Sequence, residues 1–169
     1  RPMCIRDRMK AWIVGTDGKA PVQVIWQTGK YYEREMQAFL AAHPAAHVWQ
    51  GAFIDRMDYA YAAADLVVSR SGAGTVSELC LVARPVLFVP SPNVAEDHQT
   101  KNAMALADRG AALVVPDREA VARVFSEVGR LLADDAVRSE MEKNIRALAV
   151  ADSADRVADE ILKVVKRSE

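Results

Sequence analysis

Cysteine is scarce in this chain: of its 169 residues only Cys4 and Cys80 carry a thiol, far apart and without any Cys-x-x-Cys or Cys/His spacing around them. That excludes a disulfide framework and a zinc module, and it fits a reducing, cytoplasmic setting. A charge excess is lacking too. With 22 Lys+Arg against 23 Asp+Glu the formal net charge is -1, and only Arg1, Arg6, Arg8 and Lys10 form anything like a basic cluster. A partner held by phosphate neutralisation, such as a nucleic acid, is therefore not expected. Long apolar runs are absent as well. The longest charge-free stretch, Met36 to Ile54, contains His43, Pro44, His47, Gln50 and Gly51, unlike the roughly 20 apolar residues of a membrane span. Arg6, Asp7, Arg8 and Lys10 interrupt any signal-peptide core near the N-terminus. Contact with a membrane is expected to be peripheral at most. What the chain does have is 51% hydrophobic residues over the length of one ordinary domain, enough for a self-supporting core.

Short runs rich in Val, Ile and Trp alternate with stretches of helical period, the sequence form of successive βα units. Strands are expected at Ala11–Val14, Val22–Thr28, Ala46–Gln50, Leu66–Ser69, Val86–Val89 and Ala112–Val115. Helices are expected at Tyr31–Ala42, Arg56–Ala64, Thr75–Ala83 and Gln99–Asp108. Beyond Asp117 the pattern turns purely helical, with Val121, Val124, Phe125, Val128, Leu131 and Leu132 on one stripe, then helices at Ala136–Ala149 and Ala154–Arg167. All three are expected to pack their apolar faces against the sheet or a neighbouring domain. The fold class is α/β, a Rossmann-like parallel sheet flanked by helices, with extra C-terminal helices.

The stretch Asp65-Leu-Val-Val-Ser-Arg-Ser-Gly-Ala-Gly-Thr-Val-Ser-Glu78 runs from an apolar strand through a small-residue turn into a helix. In a parallel sheet such a turn lies at the carboxyl edge, where open α/β sheets place their ligands. The helix start offers unpaired amides and the positive end of its dipole, so a phosphate or diphosphate needs no lysine there. Two roles compete for Glu78. In a capping box, Thr75 is the N-cap and Glu78 turns back to its amide. In a nucleotide site, the two carboxylate oxygens of Glu78 accept from the adjacent hydroxyls of a ribose. A second polar cluster, Glu96, Asp97, His98, Gln99 and Asn102, opens the next predicted helix behind Pro90 and Pro92 and suits sugar hydroxyls. Its plainer reading has Asp97 as a cap and Asn102 pinning the loop. A third feature is the strand exit Gln50-Gly-Ala-Phe-Ile-Asp55, whose backbone can read a flat heterocycle or simply turn with Phe53 and Ile54 packed inward.

Val24-Ile-Trp-Gln-Thr-Gly-Lys30, the Phe53-Ile-Asp55 exit with Met57 and Ala60-Tyr61, Ser69-Arg-Ser-Gly-Ala-Gly-Thr-Val-Ser-Glu78, Pro85-Val-Leu-Phe-Val-Pro90, and Gln99 with Asn102-Ala103 together resemble the C-terminal half of the MurG family. Its members are the UDP-N-acetylglucosamine:lipid I N-acetylglucosaminyltransferases of bacterial peptidoglycan synthesis. The likeness runs from about Val22 to the end. It implies one half of a GT-B fold, the half that holds the donor. Ile54 would then meet the uracil through its backbone, and Ala73, Gly74 and Thr75 would present amides to the phosphates. Val76 and Ser77 lie in the same donor-binding turn, where the Thr75 or Ser77 hydroxyl would add a phosphate contact. Glu78 would take the ribose hydroxyls, and Gln99 the N-acetylglucosamine hydroxyls with His98 beside it. No cofactor and no metal are expected.

The resemblance also sets expectations about what this chain is not. The family's acceptor domain, with its proposed catalytic base and lipid-binding surface, is not represented, so no catalytic residue is assigned. Lipid I would be met through that other domain, at the cytoplasmic face of the inner membrane, and the chain alone would bind donor without turnover. The family places a glycine-rich diphosphate loop and a long helix before the Val-Ile-Trp strand, whereas here Trp12-Ile-Val-Gly-Thr-Asp-Gly18 runs almost directly into Pro21. Residues 1–21 are therefore read as an atypical segment, in part foreign to the gene, and 22–169 as the UDP-sugar-binding domain. Two other readings stay open: a GT-B glycosyltransferase using a different UDP-sugar, and a non-catalytic α/β interaction module whose turn is merely capped.

Overall fold

Five short parallel strands form the frame of the computed structural model, which describes residues 5–16 and 21–166. β1 (Val24–Gln27) pairs with β2 (Val48–Gly51), while β3 (Val67–Ser69), β4 (Val86–Phe88) and β5 (Leu113–Val114) form a second ladder in that order. Each lies inside its expected apolar run or within a residue of it. The helices are α1 (Ile5–Gly15), α2 (Glu33–Ala42), α3 (Met57–Ala63), α4 (Ala73–Val82), α5 (His98–Ala107), α6 (Ala120–Leu132), α7 (Asp135–Arg146) and α8 (Ser153–Lys166).

The expected strand at Ala11–Val14 is instead the last part of α1. Met9 and Ile13, one helical turn apart, are buried against Trp26 of β1 and Met36 of α2, with half-buried Trp12 stacked on Phe125 of α6 at 4.7 Å between ring centroids. A four-residue apolar run fits either period, and these distant partners select the helical one. The helix thought to be missing before the Val-Ile-Trp strand is thus present. In the segment suspected of being foreign, residues 1–4 and 17–20 lie outside the described residues, while α1 contributes to the core.

The two faces of the second ladder are covered by different helices. Val86 and Phe88 meet Leu79 and Cys80 of α4, Ala103 and Leu106 of α5 and Ile145 of α7. Leu87 and Val89 point the other way, onto Ala120 and Val124 of α6. Alternate residues facing alternate helix layers is the signature of a sheet buried on both sides. α6 and α7 therefore pack as expected. α8 does not meet the sheet: Val157, Ile161, Leu162, Val164 and Val165 on it are all more than half exposed among the described residues, which leaves a neighbouring domain as the other expected partner. Cys80 is buried, and burial pushes its thiol above the usual range. Because the thiolate is the reactive form, Cys80 in a Cys4→Ser background is expected to resist iodoacetamide at pH 8 until denaturant is added. Mass spectrometry of the quenched reaction checks this; prompt native labelling would contradict the packing.

Candidate functional site

The turn after β3 is rigid because its polar groups are tied down from three directions. The Ser71 hydroxyl, fully buried, donates to the Gln99 carbonyl at 2.8 Å, and the Asn102 side-chain amide donates to the Ser71 carbonyl at 3.1 Å. Arg70 donates to the carbonyls of Val89 and Pro90 at 2.8 and 3.0 Å and to the Asp117 carboxylate at 2.7 Å. Asp117 is 7% exposed and faces a second cation, Arg8 of α1, at 3.7 Å; Arg8 also donates to the Asp117 carbonyl. One carboxylate between two arginines thus ties α1 to the β3 and β5 exits.

Held this way, the chain enters α4 at Gly72, whose extended backbone (φ −62°, ψ 151°) makes it the N-cap. The capping box on Thr75 is therefore not formed. Thr75 lies in the first turn, and no side chain bonds the helix start. The helix leaves the amides of Ala73, Gly74 and Thr75 without an upstream carbonyl, which is the condition for binding an anion. The Val76 amide is committed to the Gly72 carbonyl at 2.9 Å, and its side chain packs toward the core, so the amides available to a phosphate end at Thr75. A Cβ on Gly74 would meet nothing within 4 Å. Neither packing nor φ requires glycine there, and the open space admits a ligand.

With the capping role gone, Glu78 lies exposed further along α4, near enough to Tyr61 of α3 for its charge to act on the phenol. Burial first, then the charge and hydrogen-bonding influence of Glu78, push the Tyr61 phenol above its usual range. Tyr61→Phe is expected to weaken uridine nucleotide binding about 3- to 10-fold, an ordinary hydrogen bond having a net worth of order 1 kcal/mol, with fluorescence titration as the check. An unchanged affinity would mean the tyrosine does not orient the carboxylate.

The second cluster opens α5. Glu96 and Asp97 both have φ of 53°; Asp97 sits at the cap position, but its carboxylate accepts from the Thr100 hydroxyl at 2.6 Å and caps no backbone amide. Asn102 pins the loop, as its plainer reading had it. His98 is exposed at the first position of α5. Gln99 uses its side-chain oxygen to accept from the Ser91 amide at 2.8 Å, leaving its NH2 as the group able to donate to a sugar hydroxyl. Ile54 lies at the carboxyl end of the β1–β2 ladder. Its amide donates to the Gln27 side chain at 3.2 Å, so its carbonyl is the group left to pair with a base. Ser71 joins the α4 turn directly to α5; Ile54 belongs to the other ladder.

A cleft of about 440 Å³ opens beside these loops, lined in part by Arg8, Pro90, Asp97, Thr100, Pro116 and Asp117. It adjoins the loop that opens α5 and does not include the α4 turn. Among the described residues no cluster of His, Cys, Asp or Glu is arranged to hold a metal, and no helix is long and apolar enough to cross a membrane. Sequence reasoning gave no role to Ser71, Arg70, Asp117 or Tyr61, although Tyr61, Arg70 and Ser71 lie inside the motifs that carried the resemblance.

The glycosyltransferase family 28 C-terminal domain matches residues 7–157. The chain belongs to this family. Among relatives of this family 28 domain, the UDP-N-acetylglucosamine–N-acetylmuramyl-(pentapeptide) pyrophosphoryl-undecaprenol N-acetylglucosamine transferase of Parabacteroides distasonis is 50% identical over 146 residues, covering 86% of this chain and 40% of that protein. The Porphyromonas gingivalis protein of the same name is 47% identical over 162 residues, 96% of this chain and 41% of that protein. The family 28 domain thus spans about two-fifths of the length of these relatives. The crystal structure of Acinetobacter baumannii MurG superposes with a TM-score of 0.73 at 30% identity, over 93% of this chain and 46% of that one. The glycosyltransferase VinC superposes at 0.67 with 22% identity over 92% of this chain and 37% of its own, a likeness of fold alone.

Proposed function

We propose that this domain is the donor-binding half of an inverting transferase that moves N-acetylglucosamine from UDP-N-acetylglucosamine to lipid I, forming lipid II for peptidoglycan. The observation that carries the reading is the α4 start: three open amides at the carboxyl edge of a parallel sheet, with an exposed carboxylate, Glu78, further along the same helix. The amides of Ala73, Gly74 and Thr75 would take the diphosphate, with the Thr75 or Ser77 hydroxyl adding a contact. Glu78 would accept from both ribose hydroxyls, the Ile54 carbonyl would pair with the uracil, and the Gln99 NH2 with His98 would face the sugar.

In the reaction the acceptor hydroxyl attacks the anomeric carbon, the bond to the diphosphate oxygen breaks, and negative charge gathers on departing UDP. A fixed helix N-terminus stabilises that charge without reorganising. The base that removes the acceptor proton is not among the residues assigned here. Lipid I and the cytoplasmic membrane face would be met through the remaining three-fifths of the relatives' length.

Calorimetric titration with UDP-N-acetylglucosamine, UDP-galactose and UDP tests this directly. The expected result is binding by all three through the nucleotide, tightest for the N-acetyl sugar, with no transfer to a lipid I analogue. Failure of every nucleotide to bind would favour a non-catalytic interaction module; preference for galactose would favour a different UDP-sugar.

A further inference from the structure

We propose that Gln27, the last residue of β1, is the specificity-determining residue of the base site: its side-chain NH2 donates to the O4 carbonyl of uracil while the Ile54 carbonyl accepts the N3–H. This rests on the donor-binding role already proposed, and it gives that site a preference for uracil over cytosine. The two strand exits are first laced together. The Thr28 and Gly29 amides donate to the carbonyls of Gly51 and Ala52 at 2.9 and 3.0 Å, and the Thr28 hydroxyl donates to the Gly51 carbonyl at 3.2 Å while accepting from the Gln50 side chain at 2.8 Å. A Cβ on Gly51 would meet the Trp49 indole at 2.6 Å, so glycine lets the indole lie across this exit.

Register sets Gln27 opposite Gly51, and its side chain reaches past the end of β2 to Ile54. There the Ile54 amide donates to the Gln27 side-chain oxygen at 3.2 Å. A backbone N–H can only donate, so the orientation of the carboxamide is fixed, with its oxygen toward Ile54 and its NH2 on the other branch. Among the described residues nothing accepts from that NH2, and nothing donates to the Ile54 carbonyl. One donor and one acceptor thus stand unpaired at the two ends of a single hydrogen bond, on an exposed glutamine and a half-buried isoleucine.

Uracil offers the complement of that pair, an N3–H donor beside the O4 acceptor. Cytosine has an unprotonated N3 and an N4 amine in the same places, so acceptor would face acceptor and donor would face donor. Leaving polar groups without a partner in this way is how a hydrogen-bonding site rejects a ligand of the same shape. The neighbour of Ile54 favours a flat ligand as well. Phe53 does not pack inward: it is 55% exposed, with the Lys30 ammonium 5.6 Å from its ring centroid. An open aromatic face one residue from the reading groups gives a base a surface to stack on.

The test titrates UDP and CDP into the whole 169-residue chain and into its Gln27→Ala and Gln27→Glu variants, with a thermal melt of each. Gln27→Ala removes the donor and should weaken UDP about 3- to 10-fold with CDP little changed. Gln27→Glu keeps an oxygen for the Ile54 amide and turns the NH2 into a second acceptor. UDP should then weaken at least about tenfold and CDP should tighten, so the preference for UDP falls further than in the alanine variant. Because Gln27 is exposed, both variants should melt within about 2 °C of the original. Equal losses of UDP and CDP would overturn the proposal, leaving Gln27 a prop for the Ile54 turn. A gain of UDP affinity in Gln27→Ala would overturn it too, making the glutamine a stand-in that the base must displace. No binding of UDP by the unaltered chain would remove the donor-binding role together with this one, whereas unchanged affinities in both variants would remove the role of Gln27 alone.

Discussion

Glu78→Ala is expected to reduce UDP-N-acetylglucosamine affinity about 100-fold or more while leaving the melting temperature nearly unchanged. The carboxylate would accept two ribose hydroxyls, and hydrogen bonds to a charged group are worth about 1.5 to 3 kcal/mol each. A loss of about 3 kcal/mol is roughly 150-fold in dissociation constant. Stability should hardly respond, because Glu78 is exposed and caps nothing. Titration of both proteins with UDP and with 2′,3′-dideoxy-UDP separates the causes. The dideoxy analogue should bind the two proteins alike; an equal loss with both ligands would place the effect in the helix rather than at the ribose.

Asp117→Ala is expected to destabilise the fold by about 3 kcal/mol, because removing one partner of a buried ion pair leaves charge stranded. Here a single 7% exposed carboxylate faces both Arg70 and Arg8. For a domain of this length each kcal/mol is about 2 to 4 °C, which gives a drop of about 6 to 12 °C in a thermal melt. Asp117→Asn, which keeps an acceptor of the same shape, should lose less. A change within 1 °C for the alanine variant would show that the arginines are satisfied by their carbonyl contacts alone.

The strands were legible because Val24-Ile-Trp, Val67-Val and Val86-Leu-Phe are apolar runs bounded by glycine, proline and small polar residues, a purely local signal. Ala11–Val14 misled for the same reason. Its period is ambiguous over four residues, and the partners that decide it, Trp26, Met36 and Phe125, are remote in sequence. Thr75 with Glu78 fits a capping box as a string of letters, yet the helix begins earlier because Ser71 is pinned by Gln99 and Asn102 from another helix. The stripe on α8 revealed that a face exists, and periodicity carries nothing about whether that face is covered. Glu78, Gln99 and the small-residue turn stood out through motif spacing. Tyr61, Arg70 and Asp117 did not, since an orienting or bridging role exists only once α3, β3 and the β5 exit converge.

The Ser71 bonds have a kinetic corollary. One buried hydroxyl and one carbonyl weld the start of α4 to α5, so the proposed diphosphate and sugar contacts would belong to a single casting rather than two jaws. Nothing in that weld would have to isomerise before a nucleotide seats. Stopped-flow association with UDP should accordingly be single-exponential, with an observed rate rising linearly with ligand and no plateau. Saturation of that rate would reveal a slow rearrangement that the weld forbids. A site that arrives pre-cast spends its time waiting for encounters, not for shape.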